Sequence, residues 1–271
     1  IPKKEIYQGI SIKRIKYLQL ERKRTIGRCI NYLSFLLAMF FNVFECRKYK
    51  YIFVYSNPPV LPLLAALAKK LYRNRIVFVS YDVYPEIGIQ SQKIKKNGLV
   101  DKIFRISNKW IFKSIDTGVA LSNDMKELLC QERGLAPEKV FVIPNWGEDR
   151  KNYKKADVQN SLFSDIPANA FIVSYLGNLG ICQDERTMFA VMEQLKNNKN
   201  IHFLIAGHGV KMSKLREKAS NKNLENVHIY DFLHGKDYED ALELSDMCMA
   251  TLIKGMRGLC SPSKVSNYLM A

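Results

Sequence analysis

The sequence predicts an α/β fold with parallel sheets, arranged as two successive Rossmann-like domains. Apolar runs of strand length alternate with helical patterns between residues 50 and 146. A polar stretch at residues 148–169 breaks this alternation, which then starts again. The 271 residues are enough for about two domains of ordinary size. We therefore expect a first domain over residues 1–147, a linker over 148–169 and a second domain over 170–271.

The first domain opens with a strand pattern and a strongly apolar helix. Residues 9–16 alternate apolar and polar side chains, as a half-buried strand does. Residues 30–44 form a predicted helix that is too short to span a bilayer, which needs about 20 apolar residues. Two interpretations stay open for this helix: packing against a sheet, or partial insertion into a membrane interface beside the basic residues at 22–28.

Strands and helices alternate through the rest of the first domain. The predicted strands are 51–55, 76–80, 117–121 and 139–143, and the predicted helices lie at about 60–72, 99–113 and 124–133. This order implies a parallel sheet with helices on both faces, and such sheets bind ligands outside the carboxyl ends of their strands. Asp82 and Glu86 follow strand 76–80, so both are candidate catalytic residues. Their structural alternatives are an Asx-type turn for Asp82 and a helix cap for Glu86.

The same alternation returns in the second domain. The predicted strands are 170–176, 202–206, 227–230 and 247–250, and the predicted helices lie at about 184–197, 210–220, 237–244 and from 263 onward. The last of these helices stops at Ala271 without a capping residue, and the chain has no initiating Met. We therefore expect the sequence to be a fragment of a longer protein, with both domains incomplete.

A glycine turn opens the second domain. Gly177 and Gly180 lie between the strand 170–176 and the next helix, in the stretch Tyr-Leu-Gly-Asn-Leu-Gly that ends at Gly180. Glycines let the backbone approach an anion closely, and a helix N-terminus adds partial positive charge. The turn is therefore a candidate phosphate site, with an ordinary strand-to-helix turn as the alternative.

The charge of the chain indicates an acidic partner. The net charge is +16, and residues 1–150 carry +14 of it. Nucleic acid, an anionic membrane surface and a phosphorylated substrate are the classes that such a charge attracts. The sequence contains no nucleic-acid-binding module, so we expect no nucleic-acid partner. The six cysteines include no C-x-x-C pair and the four histidines have no metal-ligand spacing, so no metal site is expected.

Six short motifs together resemble a known family. They are Ser56-Asn-Pro-Pro59, Asp82-Val-Tyr-Pro-Glu86, Val142-Ile-Pro-Asn-Trp146, Tyr175-Leu-Gly-Asn-Leu-Gly180, Phe203-Leu-Ile-Ala-Gly-His-Gly209 and Pro262-Ser-Lys264. In this order the chain resembles the family 4 glycosyltransferases of GT-B architecture, and in particular bacterial enzymes of capsule, exopolysaccharide or O-antigen synthesis. The resemblance implies two Rossmann-like domains that face each other across a cleft. It also implies transfer of a sugar from a nucleotide-diphosphate donor with retained anomeric configuration.

The resemblance assigns partners and roles as well. It implies a nucleotide sugar on the second domain and a polyprenyl-diphosphate-linked or other glycan acceptor on the first. The enzyme would be cytoplasmic and peripheral at the inner face of the membrane, with an anionic membrane surface as partner and without a cofactor. The leaving diphosphate would be neutralised by Lys264 and by the helix end after Gly180. The implied donor-binding residues are Gly177, Asn178, Gly180, Gly207, Gly209, Arg257, Ser263 and Lys264.

The chain departs from the family at one pair of positions, and two other classes of protein stay open. Many members carry two glutamates where this sequence has Cys260 and Tyr268. One alternative class is a Rossmann-type nucleotide-binding oxidoreductase or epimerase, which needs a glycine motif in its first strand-to-helix turn. The other is a non-catalytic basic protein that binds a membrane or nucleic acid.

Overall fold

The chain divides into two α/β units. The computed structural model describes residues 2–20, 25–147 and 158–271, apart from the side chains of residues 25, 26, 28 and 29. The first unit is formed by residues 1–144 with 258–261, and the second by residues 145–257 with 262–271. Each unit contains a four-stranded sheet whose strands are all parallel. The predicted fold class is therefore confirmed.

The first unit contains a hairpin, a parallel sheet and five α-helices among its described residues. Its strands are β1 (Lys4–Tyr7), β2 (Ile10–Lys13), β3 (Tyr51–Tyr55), β4 (Arg75–Ser80), β5 (Thr117–Ala120) and β6 (Val140–Val142). Its α-helices are α1 (Thr25–Phe40), α2 (Leu61–Tyr72), α3 (Glu86–Gln90), α4 (Leu99–Ser114) and α5 (Asn123–Arg133). Short 3₁₀ helices span Val43–Lys48 and Pro137–Lys139.

The predicted strand at residues 9–16 corresponds to the shorter β2, Ile10–Lys13, which pairs with β1 in a two-stranded antiparallel hairpin. Gln8 and Gly9 connect its strands, both with positive φ, which is the backbone of a tight hairpin turn. The apolar pattern that predicted a helix at 30–44 belongs to α1, which begins earlier and ends at Phe40. Within the described residues, no helix is long and apolar enough to cross a membrane.

The helices of the first unit pack on one face of its sheet, which contradicts the prediction of helices on both faces. The strand order is β3-β4-β5-β6, so each crossover moves in the same direction. Right-handed crossovers that all move in one direction leave their helices on one side. Phe78 on that side contacts Phe112 of α4, with ring centroids 5.3 Å apart. Phe53 and Phe141, on the opposite face, are exposed.

The second unit has helices on both faces of its sheet. Its strands are β7 (Phe171–Leu176), β8 (Ile201–Ala206), β9 (Val227–Tyr230) and β10 (Met247–Cys248). Its α-helices are α6 (Glu185–Gln194), α7 (Met212–Asn221), α8 (Lys236–Leu244) and α9 (Lys264–Leu269). The strand order is β10-β7-β8-β9, so the chain reverses direction when it passes from β9 to β10. This reversal places α8 on the face opposite α6 and α7.

Two hydrophobic clusters fill the two faces of the second sheet. One cluster joins Phe203 and Ile205 of β8 to side chains of α6 and α7. The other joins Leu204 of β8 to Leu242 of α8. Successive residues of β8 therefore point into opposite cores, which explains its uninterrupted apolar sequence.

The stretch that the sequence suggested as a linker, residues 148–169, divides into two parts. Residues 148–157 lie outside the described residues. Phe163 and Ile166 are buried in the core of the second unit, and a 3₁₀ helix spans Ser161–Phe163. The sequence did not predict that these two residues belong to the core, because two apolar side chains in a polar stretch form no periodic pattern.

Candidate functional site

The glycine turn follows β7, on either side of which the chain adds strands to the second sheet in opposite directions. β7 is hydrogen-bonded to β8 on one side and to β10 on the other, and Gly177 is the first residue after β7. In open parallel sheets, the crevice outside the carboxyl ends of the strands at such a switch point is where ligands bind. The fold thus places the predicted phosphate turn at the position that chain topology favours for a ligand.

Gly207 and Gly209 are required by the packing of two loops. Gly207 has φ of 149°, and a Cβ there would lie 1.9 Å from the Gly177 carbonyl oxygen. At Gly209, φ is 128° and a Cβ would lie 2.4 Å from the Leu179 carbonyl oxygen. Both glycines therefore allow the loop after β8 to lie directly against the turn after β7.

Lys264, the first residue of α9, reaches into this turn. Its Nζ atom lies 3.5 Å from the centroid of the Tyr175 ring and donates a hydrogen bond of 3.3 Å to the Asn178 carbonyl oxygen. The Tyr175 hydroxyl donates to the same carbonyl oxygen at 2.8 Å. Burial lowers the pKa of Lys264 to about 7. The Lys264 amino group also lacks a carboxylate partner among the described residues.

Tyr268 fixes the helix that carries Lys264. The Tyr268 hydroxyl accepts a hydrogen bond from the Leu176 amide at 2.9 Å and donates one to the Leu176 carbonyl oxygen at 3.1 Å. Tyr268 lies four residues after Lys264, so the two side chains occupy the same face of α9. The last residue of β7 is thereby tied to α9 one turn away from the ammonium group.

The start of α6 offers a phosphate fewer donors than predicted. The Asp184 side chain already accepts hydrogen bonds from the amides of Arg186 and Thr187. The Gly180 amide donates to the Gln183 side chain at 2.9 Å. The predicted contribution of this helix end is therefore reduced, because Asp184 caps the helix and adds negative charge there. A ligand reaches the Gly180 amide only by displacing the side chain of Gln183.

The structure brings six of the eight predicted donor-side residues together. Gly177, Asn178, Gly180, Gly207, Gly209 and Lys264 lie within the turn or in contact with it. Ser263 precedes α9 as its N-cap residue but makes no side-chain capping bond. Arg257 is exposed in the loop that follows β10. These two residues stay predicted contacts.

Asp82 lies at the carboxyl edge of the first sheet, as predicted. The Ser56 hydroxyl, just after β3, accepts hydrogen bonds from the amides of Tyr81 and Asp82 at 2.8 and 2.9 Å. The ends of β3 and β4 are thus joined through one buried serine. Burial raises the pKa of the Asp82 carboxyl group. A carboxylate with a raised pKa is a better proton acceptor than an exposed one.

Glu86, the first residue of α3, is held in an ion pair. Its carboxylate accepts a short hydrogen bond from the Arg133 guanidinium group, and Arg105 lies 4.0 Å away. Arg133 also donates to the Tyr84 carbonyl oxygen at 3.1 Å, and only 5% of its side chain is exposed. The pair ties the loop after β4 to the end of α5, so Glu86 is engaged in a structural contact.

A small cavity adjoins Asp82. Its volume is about 30 Å³, and its lining includes Ser80, Asp82, Asn108 and Arg133. The Ser80 hydroxyl and the Arg133 Nε atom are buried and have no hydrogen-bond partner within the described residues. The cavity is large enough for a water-sized group that would satisfy them.

Sequence reasoning missed Tyr175, Tyr268 and Arg133 as site residues. Tyr268 could have been found, since it lies at i+4 from Lys264 on a predicted helix. Tyr175 lies within the glycine motif, but its contact with Lys264 joins residues 89 positions apart and leaves no local pattern. Arg133 reads as an ordinary cation in the last turn of a helix.

Each unit has a parallel sheet with helices. Glycines line the strand ends of the second unit, and the half-buried carboxyl group of Asp82 lies at a strand end of the first. These features define a protein of the Rossmann-like class. Residues 9–146, about half of the chain, match the family model described as Glycosyltransferase Family 4. The chain therefore belongs to glycosyltransferase family 4, and the family predicted from the motifs is confirmed.

Two curated relatives agree with this assignment. WcaI of Escherichia coli (strain K12) carries a provisional assignment as a colanic acid biosynthesis glycosyl transferase, and is 25% identical over 254 residues. WbjE of Pseudomonas aeruginosa, provisionally assigned as a glycosyltransferase, is 24% identical over 211 residues. The matches cover 90% and 77% of this chain but only 61% and 52% of the two relatives. The chain thus spans between half and two thirds of the length of these relatives.

A solved structure supports the fold. The Anabaena protein Alr3699/HepE, crystallised in complex with UDP and glucose, superimposes with a TM-score of 0.57 and 16% sequence identity. The match covers 84% of this chain and 58% of that protein. At this identity the comparison concerns the fold alone.

Proposed function

We propose that the protein transfers a sugar from a nucleotide-diphosphate donor to a lipid-linked glycan acceptor during synthesis of a bacterial surface polysaccharide. Membership in glycosyltransferase family 4 supports sugar transfer over the oxidoreductase, epimerase and non-catalytic classes. The names of the relatives support a polysaccharide product, and the UDP complex of HepE supports a nucleotide sugar. The observation that carries the proposal is the position of Lys264 beside Gly177, at the switch point of the second sheet.

On the donor side, Lys264 binds the diphosphate. A Cβ at Gly177 would meet only the end of the Lys264 side chain, at 3.9 Å, so the space beside this glycine is open apart from the lysine. A diphosphate there would favour the charged ammonium group, which burial disfavours in the free protein. Binding would therefore be accompanied by protonation of Lys264 at neutral and alkaline pH.

The reaction exchanges one carbon–oxygen bond for another. The bond between the anomeric carbon and the leaving diphosphate oxygen breaks, and a bond to the acceptor oxygen forms on the same face, which retains configuration. The acceptor proton passes to the leaving diphosphate, whose growing charge Lys264 stabilises. Gly177, Asn178 and Gly180 shape the donor site, and Arg257 and Ser263 supply further contacts.

On the acceptor side, Asp82 orients the hydroxyl group that attacks. Its raised pKa gives it the affinity for a proton that such a hydrogen bond requires. The contact of Glu86 with Arg133 favours a positioning role for Glu86, because the carboxylate is already paired. The proposed mechanism uses no metal ion or cofactor. We further propose a peripheral location at the inner face of the membrane, where a polyprenyl-diphosphate-linked acceptor resides.

Binding of UDP, UDP-glucose and GDP-mannose by isothermal titration calorimetry tests the donor site. At pH 8, titrations in two buffers of different ionisation enthalpy should show proton uptake when a diphosphate binds. Lys264→Gln should weaken binding by about tenfold or more and remove the proton uptake, since a charged group bound to phosphate contributes about 1.5–3 kcal/mol. Lys222→Gln, at an exposed site on the same unit, is the matched control. Absence of binding to any nucleotide or nucleotide sugar by the folded protein would contradict the proposal.

A further inference from the structure

Helix α4 carries a stripe of apolar side chains that points away from the protein. Leu99, Ile103, Ile106 and Trp110 follow one another at intervals of four, three and four residues, which places them along one line on the helix. Their exposed fractions lie between 40% and 75%. Exposed apolar residues are common when scattered, but a contiguous row marks a contact surface.

The stripe is separate from the side of α4 that forms the core. Asp101 and Ile111 are buried, and Phe112 packs on Phe78 of β4. Asn108 points inward as well and donates a hydrogen bond to the Tyr84 carbonyl oxygen at 2.8 Å. The helix is thus held to the unit mainly by one face, and the apolar stripe lies on another.

Basic side chains line one flank of the stripe. Lys102, Lys109 and Lys113 are exposed and lie beside it on the helix, and the exposed Lys95 and Lys96 precede the helix. Arg105 forms an ion pair with the buried Asp101, at a distance of 2.8 Å. Asp101 is the sole acidic residue between Gly98 and Ile115. An apolar stripe with a cationic flank complements a surface that is apolar inside and negatively charged outside.

We infer that α4 docks the first unit on an anionic lipid surface, with the stripe at the level of the acyl chains and the lysines among the headgroups. The stripe runs along most of this 16-residue helix of about 24 Å, so the docked helix would lie in the plane of the interface. The inference deepens the proposed function by naming the membrane contact. The membrane contact is tested without donor or acceptor. The contact can therefore be refuted while the proposed sugar transfer stands, and the reverse holds as well.

The proposed membrane contact on α4 lies near Asp82, the residue proposed to act on the acceptor. A groove of about 380 Å³ runs beside the stripe and is lined by Arg105, Ile106, Lys109, Asn108, Glu132 and Arg133. Asn108 and Arg133 also line the cavity at Asp82. A lipid-borne substrate held at the membrane would therefore approach Asp82 along a basic groove.

Fluorescence of Trp110 tests the contact directly. Trp146→Phe leaves Trp110 as the only tryptophan, because the chain has two. We expect vesicles of 70% phosphatidylcholine and 30% phosphatidylglycerol to shift its emission to shorter wavelength. Phosphatidylcholine brominated in the acyl chains, mixed into these vesicles, should quench it. Unchanged emission together with absence of quenching would overturn the inference.

Sedimentation with the same vesicles tests the two components of the surface. Ile103→Ser/Ile106→Ser should lower the partition coefficient at least fivefold, and Val210→Ser on the exposed surface of the second unit should leave it unchanged. Lys102→Gln/Lys109→Gln/Lys113→Gln should lower it about 100-fold, since each of the three cations near an anionic surface contributes about a fivefold factor. Lys196→Gln/Lys199→Gln/Lys214→Gln removes the same charge from the second unit and is the control. Equal loss in both triple variants would overturn the assignment to α4.

Light scattering after gel filtration distinguishes a second copy from a membrane. We expect wild type and Ile103→Ser/Ile106→Ser to have the same mass in the absence of lipid. A wild-type dimer that becomes a monomer in this variant, with unchanged vesicle binding, would show that the stripe joins two copies and would overturn the inference.

Discussion

The Lys264 ammonium group lies over the face of the Tyr175 ring, 3.5 Å from its centroid, and this contact joins α9 to the end of β7. The ring face attracts a cation, but burial of Lys264 outweighs that attraction and lowers its pKa to about 7. In the free protein desolvation therefore destabilises the charged form of Lys264, and an anion that binds in the turn stabilises it.

The lowered pKa predicts how stability depends on pH. Between pH 7 and 10.5 the unfolded chain binds more protons at Lys264 than the folded chain, so the free energy of unfolding rises with pH in this window. Relative to Lys264→Met, the wild-type value should rise by up to about 1.4 kcal/mol per pH unit. Below pH 7 the difference in the free energy of unfolding between the two proteins should be constant, with Lys264→Met the more stable. Urea unfolding at several pH values measures it, and parallel curves for the two proteins across this window would contradict the prediction.

Tyr268→Phe should destabilise the second unit. The substitution removes the hydroxyl that bonds both the amide and the carbonyl oxygen of Leu176, and it leaves the buried amide without its partner. An unsatisfied buried group costs about 1–3 kcal/mol. We expect a loss of this size in urea unfolding, together with weaker diphosphate binding because α9 positions Lys264. Tyr7→Phe at an exposed site is the control. Full stability of Tyr268→Phe would show that the hydroxyl is dispensable.

Gly207→Ala should be severe, and Gly235→Ala should be mild. Both glycines have positive φ, but a Cβ at Gly235 meets nothing within 4 Å, whereas one at Gly207 would lie 1.9 Å from the Gly177 carbonyl oxygen. Backbone strain alone costs about 1–3 kcal/mol, which is our expectation for Gly235→Ala. Gly207→Ala adds a backbone clash and should exceed about 4 kcal/mol. Thermal unfolding of the two variants measures the difference, and similar losses would show that the loops can separate without cost.

The sequence predicted the parts of this fold that depend on local patterns. Strands β3 to β9 follow from apolar runs of strand length. The faces of the first sheet did not follow, because they depend on strand order, which no local pattern contains. Lys264 was found through a motif. Its contacts with Tyr175 and Asn178 arise only when α9 returns to β7, so its environment could not be predicted.

Asp82→Asn tests the proposed acceptor-side residue. The substitution keeps the size of the side chain and removes a carboxyl group whose pKa burial raises. Loss of a group that orients the attacking hydroxyl lowers rates by about 10- to 100-fold, because the reacting atoms are no longer held in line. We expect kcat to fall in this range in a radiolabelled transfer assay, while donor binding by calorimetry stays at the wild-type level. Unchanged kcat would remove Asp82 from the mechanism.

The ion pair between Glu86 and Arg133 predicts strong coupling between two substitutions. The Arg133 side chain is 5% exposed, so Glu86→Gln leaves a nearly buried guanidinium group without its carboxylate. Removal of one partner of a buried pair costs about 3–5 kcal/mol. The double variant Glu86→Gln/Arg133→Met removes both charges and should be less destabilised than the sum of the single variants by about 1–3 kcal/mol. Urea unfolding of the four proteins gives the coupling energy directly. An additive result would mean that the pair does not stabilise the loop after β4, and Glu86 would then be free to act on the acceptor.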